Sequence, residues 1–189
     1  MGRARLSGQS GGGSNIKSIQ SGTYVFDFSV APTSSKSITV AGVDINKSIL
    51  KMTVIKNTSS NVQYSSLVRG ELTSNNTITF STNGELSGAY AVTIRWELFE
   101  FNNVKSVQSG SVASSTGSDG TFKVTIAAVD PLKCISFSSY RSKTGVSSNV
   151  SNLPGVHSNS YVSGPTELSI ANTSIGSNAL VHWKILEFI

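Results

Sequence analysis

Charge is scarce in this sequence. Asp, Glu, Lys and Arg together make up 13% of its 189 residues, about half the share of an average soluble domain. Cysteine is nearly absent: Cys134 stands alone, so no disulfide forms within the chain. One thiol with two distant histidines does not supply the convergent ligands of a zinc or iron–sulfur site, and no cofactor is expected. No apolar run reaches the length of a membrane span. The opening Met1-Gly2-Arg3-Ala4-Arg5-Leu6 has no apolar core of a secretory signal, and Leu6 stands where N-myristoylation wants Ser or Thr. The excess of 15 Lys and Arg over 10 Asp and Glu gives a net charge of +5, spread along the chain. No run interleaves cations with aromatics as a nucleic-acid groove does. Dedicated nucleic-acid binding and membrane association are therefore not expected.

Ser, Thr, Asn and Gly fill the space that charge leaves, and they suit turns and the wet faces of sheets. Hydrophobic residues are 38% of the chain. Disorder normally pairs low hydrophobicity with high charge, a combination not met here. Residues 1–15, MGRARLSGQSGGGSN, are too rich in glycine to build a core and read as a flexible anchoring arm with Arg3, Arg5 and Leu6 as its contacts.

The strongest signal is internal repetition. Ile16-Lys17-Ser18-Ile19-Gln20-Ser21-Gly22 returns as Val104-Lys105-Ser106-Val107-Gln108-Ser109-Gly110. ITVAGVDINKSI from Ile38 returns as VTIAAVDPLKCI from Val124, and IRWELFEF from Ile94 returns as VHWKILEF from Val181. The offsets are 88, 86 and 87 residues (16 to 104, 38 to 124, 94 to 181). So long a period means two domains rather than a solenoid. The copies run over 16–101 and 104–189, joined by Asn102-Asn103, a link too short for independent motion.

Within each copy the period is that of strands. Tyr24 to Phe28, Ile49 to Ile55, Thr77 to Phe80 and Ala89 to Phe101 read as strands in the first. Phe122 to Ala128, Cys134 to Tyr140, Glu167 to Ile170 and Ala179 to Ile189 read so in the second. Turns are expected at Ser34-Ser35, Asn75-Asn76, Asn83-Gly84, Asp119-Gly120 and Pro154-Gly155. Short antiparallel strands in units of this size predict an all-β protein of two tandem β-sandwiches, jelly-roll or immunoglobulin-like. The interval from Ile49 to Val68 is 19 positions and that from Ile135 to Val162 is 27. The extra length falls in a 141–161 loop. Tyr140, Arg141, His157 and Tyr161 are its candidate ligand-binding residues.

No constellation points to catalysis, and an enzyme is not expected. Glu97 and Glu100, three apart on a strand, face opposite ways and do not converge as glycosidase carboxylates. Trp96 and Trp183 read as core residues, with a sugar platform as the alternative. His182 matches Arg95, so both read as solvated. Asp44 and Asp130 match each other before a strand and read as turn-stabilising. Cys134 matches Ser48 and reads as a small buried filler.

The openings IKSIQSG and VKSVQSG, the middle VRGELTSNNTITF and the closing W-x-Φ-x-E-F resemble small β-rich proteins of tailed bacteriophages. The resemblance covers residues 16–189. It departs in copy two, where Val162 to Leu168 replaces the middle block. It implies a virion component, decorating the capsid or attached to tail or neck, made in the host cytoplasm. Other virion proteins and copies of itself would be its partners. It carries over no catalytic residues. A module binding a host-surface glycan through the 141–161 loop is the second reading.

Overall fold

The computed structural model describes residues 15–27, 33–56, 68–86, 91–113, 120–142, 158–172 and 179–189. Among them there is no α-helix. The first half of the chain contributes β1 (Ile16–Asp27), β2 (Thr33–Thr39), β3 (Ser48–Lys56), β4 (Arg69–Ser74), β5 (Thr77–Leu86) and β6 (Ala91–Phe101). A 3₁₀ turn, η1 (Ile45–Lys47), precedes β3. The second half repeats the series as β7 (Val104–Ala113), β8 (Gly120–Thr125), β9 (Cys134–Ser142), β10 (Ser158–Gly164), β11 (Glu167–Asn172) and β12 (Ala179–Phe188). Its own 3₁₀ turn, η2 (Pro131–Lys133), precedes β9.

Each half folds into two three-stranded antiparallel sheets. The orders are β1-β6-β3 and β2-β5-β4 in unit 1, and β7-β12-β9 and β10-β11-β8 in unit 2. The first strand pairs with the sixth and the second with the fifth. Strands three and four lie at the same open edge, one in each sheet. This nesting is the connectivity of a jelly roll, with six strands in place of eight. The protein is all-β, and each half is a sandwich.

Alternation explains the layers. Along β6, Val92, Ile94, Trp96, Leu98 and Glu100 are buried while Arg95 is exposed. The inward set packs between the two sheets of unit 1 with Phe26, Ile78 and Phe80. Unit 2 builds its core from Leu168, Ile170, Val181 and Ile185. A third cluster lies on the outer side of β6 and β12, joining Ile49, Phe99 and Phe101 of unit 1 to Val107, Leu186 and Phe188 of unit 2. The closing strands are thus apolar on both faces toward their C-terminal ends, where both faces are covered. Asn103 turns the junction with φ 57°, a left-handed conformation that asparagine tolerates.

Several local expectations change. Ile16 to Gly22 forms the first half of β1; its inward positions Ser18, Gln20 and Gly22 are polar or bare, so the strand carries no apolar alternation. Ser34-Ser35 lies inside β2. Asn83-Gly84 lies inside β5, where Ser81 pairs with Ser35 and Leu86 with Thr33. Five steps on β5 face two on β2 there, an irregularity that absorbs the turn residues. Asn75-Asn76 does turn, and Pro165-Thr166 is its counterpart. Asp119 and Pro154-Gly155 lie outside the described residues, as do residues 1–14 of the arm.

Gly22 and Gly110 are the position of the repeated heptapeptide that permits no substitution. A Cβ on Gly22 would stand 2.6 Å from Cζ2 of Trp96, and one on Gly110 would stand 2.7 Å from Cζ2 of Trp183. A rigid, packed indole has nowhere to retreat. Gly22→Ala is predicted to cost about 1–3 kcal/mol of unfolding free energy. Gly42→Ala, where nothing lies within 4 Å, leaves stability nearly unchanged. Urea denaturation of the two variants is the check, and equal midpoints would refute the packing argument.

Candidate functional site

The site is built from the repeated blocks upward, beginning with a buried carboxylate. Glu100, 3% exposed, accepts from Lys17 Nζ (2.8 Å) and from the backbone N–H of Asp44 (3.0 Å) at Oε1. Its Oε2 accepts from Ser18 Oγ (3.2 Å). Glu187, 2% exposed, repeats this with Lys105 Nζ (2.9 Å), Asp130 N–H (3.0 Å) and Ser106 Oγ (2.8 Å). Around each clasp the other repeated residues find their work. Gln20 and Gln108 bond through both amide atoms to the backbone of Ala41 and Ala127. Asp44 Oδ1 accepts from Asn46 N–H and Asp130 Oδ1 from Leu132 N–H, so each caps its 3₁₀ turn. The expected turn-stabilising role is what these aspartates perform.

The side chain after each turn closes it further. Ser48 Oγ donates to Asp44 O (2.7 Å), and Cys134 Sγ donates to Asp130 O (3.1 Å). Cys134 is half-buried rather than a fully buried filler, and burial pushes its thiol above the ordinary value.

The clasps fix η1 and η2 in space, and η1 is where the units meet. The open edge of unit 1, formed by η1, β3 and β4, rests on the outer face of β7, β12 and β9. Lys184 Nζ donates to Ile45 O (2.7 Å) and Ser48 O (2.8 Å) across the seam. Burial holds this lysine below its ordinary pKa. Arg69, ion-paired with Glu71, donates from Nη1 to His182 Nε2 at 2.8 Å. A guanidinium has no acceptor, so the His182 ring carries its proton on Nδ1. His182 is therefore half-buried under Arg69, contrary to the expectation that it is solvated like its counterpart Arg95.

Edge and face do not close completely, and a cleft of about 590 Å³ remains between them. Its unit 2 wall carries Ser109, Ser111, Ser139, His182 and Lys184. Trp183, also in the lining, has its indole N–H buried without a partner among the described residues.

Of the residues expected to bind ligand, Tyr161 is not among the described residues that line this cleft. Tyr140 and Arg141 fall within β9, and His157 lies outside the described residues. Tyr161 is exposed on β10. The loop itself is shorter than the spacing implied. Leu72 pairs with Ile78 as Val162 pairs with Leu168, so Val162 matches Leu72, not Val68. Ile49 to Leu72 is 23 positions against 27 for Ile135 to Val162; the insertion is four residues, not eight. Lys184 and Arg69 had no local signal, because each acts on the other copy.

No family model, curated protein or solved structure matches the chain. Among the described residues no group of three His, Cys, Asp or Glu is placed to hold a metal ion, and no helix is long and apolar enough to cross a membrane.

Two outcomes follow from these contacts. Lys105, with the Asp130 amide and Ser106, draws Glu187 down from 4.5 to about 2. Burial pushes Glu100 up, yet Lys17, the Asp44 amide and Ser18 outweigh it and hold it below the ordinary value. A carboxylate depressed in the folded state stabilises the fold above its unfolded pKa. Stability is therefore predicted to be level at neutral pH and to decline as pH falls from about 4.5 toward 2. Glu187→Gln should flatten that decline in urea titrations; a slope parallel to wild type would contradict the clasp. Lys184→Met is predicted to lose about 1.5–3 kcal/mol and to speed amide exchange in η1, and unchanged exchange there would rule out the tether.

Proposed function

We propose that this chain is a structural protein of a tailed-phage virion, capsid-decorating or attached to tail or neck. It assembles through its arm (Arg3, Arg5, Leu6) and its sandwich faces with other virion proteins and copies of itself. One observation carries the reading: the edge of unit 1 sits on the face of unit 2. That contact is heterologous, so among the described residues it leaves the opposite edge, and the opposite face beyond Ile49, Phe99 and Phe101, without a matching partner. Open surfaces of this kind suit a protein that assembles. The two clasps give each unit a fixed shape on which such contacts depend. The chain is then not an enzyme, and its place is the particle.

The cleft favours a second reading, a module that binds a host-surface glycan. Serine hydroxyls and the His182 ring meet there, and the volume falls within the range of small-ligand sites. The recognition surface would then be the cleft rather than the 141–161 loop.

Particles purified from lysates of the source host are predicted to contain the chain in fixed stoichiometry, measured by quantitative mass spectrometry. Recovery only in the particle-free fraction would overturn the virion reading. Binding on a glycan array that is lost in Ser109→Val/Ser111→Val would favour the second.

A further inference from the structure

We infer that a second copy of this chain docks head-to-tail, its unit 1 face seated on the unit 2 edge, repeating between chains the contact made within one. The inference rests on the assembly reading above and names the partner and the residues.

Inside the chain, edge (η1, β3, β4) meets face (β7, β12, β9). The counterparts are the edge formed by η2, β9 and β10, which has no such partner among the described residues, and the outer face of β1, β6 and β3, whose end at Ile49, Phe99 and Phe101 joins the internal cluster while the part around Ile19, Val25, Lys51 and Arg95 stays exposed. The exposed apolar side chains gather on these two surfaces. Leu132 is 97% exposed and Tyr161 53%, both on the unit 2 edge. Ile19 is 56% exposed and Val25 49%, both on the outward side of β1. Only Ile189, of the exposed large hydrophobics described, lies elsewhere.

The match between copies sharpens this. Leu132 holds the second position of η2, as Asn46 does in η1. Tyr161 precedes Val162 as Glu71 precedes Leu72, which its strand pairing makes the equivalent. Asn46 and Glu71 both line the internal cleft. Where unit 1 presents polar residues to a partner already in place, unit 2 presents a leucine and a tyrosine to solvent. On the receiving side, Ile19 matches Val107, which the internal seam covers.

Charge fits as well. The internal contact relies on Lys184 reaching the carbonyls of η1. On the free face that position is Glu97, ion-paired with Lys51 at 3.1 Å, with Arg95 exposed one pair of residues along. Lys133 on η2 is exposed and complements Glu97, while Lys51 and Arg95 supply donors for the η2 carbonyls. Strands β9 and β10 are also the end strands of their sheets, the kind of position that invites association. Exposed leucine on a protruding turn, facing apolar residues on a sheet, has the form of an interface anchor.

A head-to-tail contact predicts complementation. Sedimentation velocity of the full chain should show association rising with concentration. Leu132→Asp breaks only the edge and Ile19→Asp breaks only the face; each alone should associate at least about ten-fold more weakly. Mixed one to one, they should form a dimer, since one variant retains a sound face and the other a sound edge. Unchanged near-ultraviolet circular dichroism in both variants verifies folding. A wild-type chain that stays monomeric, or variants that fail to complement in the mixture, would overturn the contact. The two readings fail separately. A chain present in particles but monomeric, with both variants incorporated normally, sinks this contact alone. A chain that complements in solution but is absent from particles sinks the virion reading alone.

Discussion

A buried glutamate is the constraint on which this structure turns. A carboxylate withdrawn from water is tolerated only when its oxygens are filled by donors, and removing one donor leaves a charge that nothing nearby compensates. Glu100 and Glu187 each gather three donors from two separate places: a lysine and a serine on the first strand of the unit, and the backbone amide ahead of the 3₁₀ turn. The clasp therefore ties the first strand, the last strand and the turn together at one end of each sandwich. With glutamine pinning the adjoining segment and glycine admitting the indole, four of the seven positions of the repeated heptapeptide have a stated task.

The same clasp serves different ends in the two halves. In unit 1 it holds η1 where Lys184 can reach two of its carbonyls, so the turn becomes part of the seam. In unit 2 it holds η2 out in solvent with Leu132 at its tip. Identical internal wiring thus presents a polar, occupied edge in one copy and an apolar, open edge in the other. Scaffold and surface have separated: the residues shared by both copies make the fold, and those that differ decide what it touches.

Much of the architecture was legible in the chain. Alternation in Ala91 to Phe101 and Ala179 to Phe188 marks the closing strands, and apolar residues on both faces required a cover on both sides. The three repeated blocks marked the two units, and Asp44 and Asp130 were readable as turn stabilisers because a short side chain before a turn acts locally. Ile16 to Gly22 escaped notice as a strand because its inward side chains are Ser, Gln and Gly, chosen for a carboxylate, a backbone and an indole far along the chain. Asn83-Gly84 looked like a turn because local preference says so, and strand pairing overruled it.

The candidate site was the least legible part. Lys184 follows a tryptophan in a strand and resembles any outward lysine; only its position opposite Ile45 O and Ser48 O makes it a tether. His182 was paired with Arg95 by alignment, yet one is half-buried under Arg69 and the other is in solvent, because edge-on-face packing treats the two copies unequally. By itself the sequence determined the repeat and those strands with an apolar alternation, together with their inward and outward sides, since these follow from period and local stereochemistry. The tertiary structure alone decided which edge meets which face, where the cleft lies and which apolar residues remain uncovered. Those depend on the relative placement of two units, and no spacing along a chain encodes an orientation between surfaces more than a hundred residues apart.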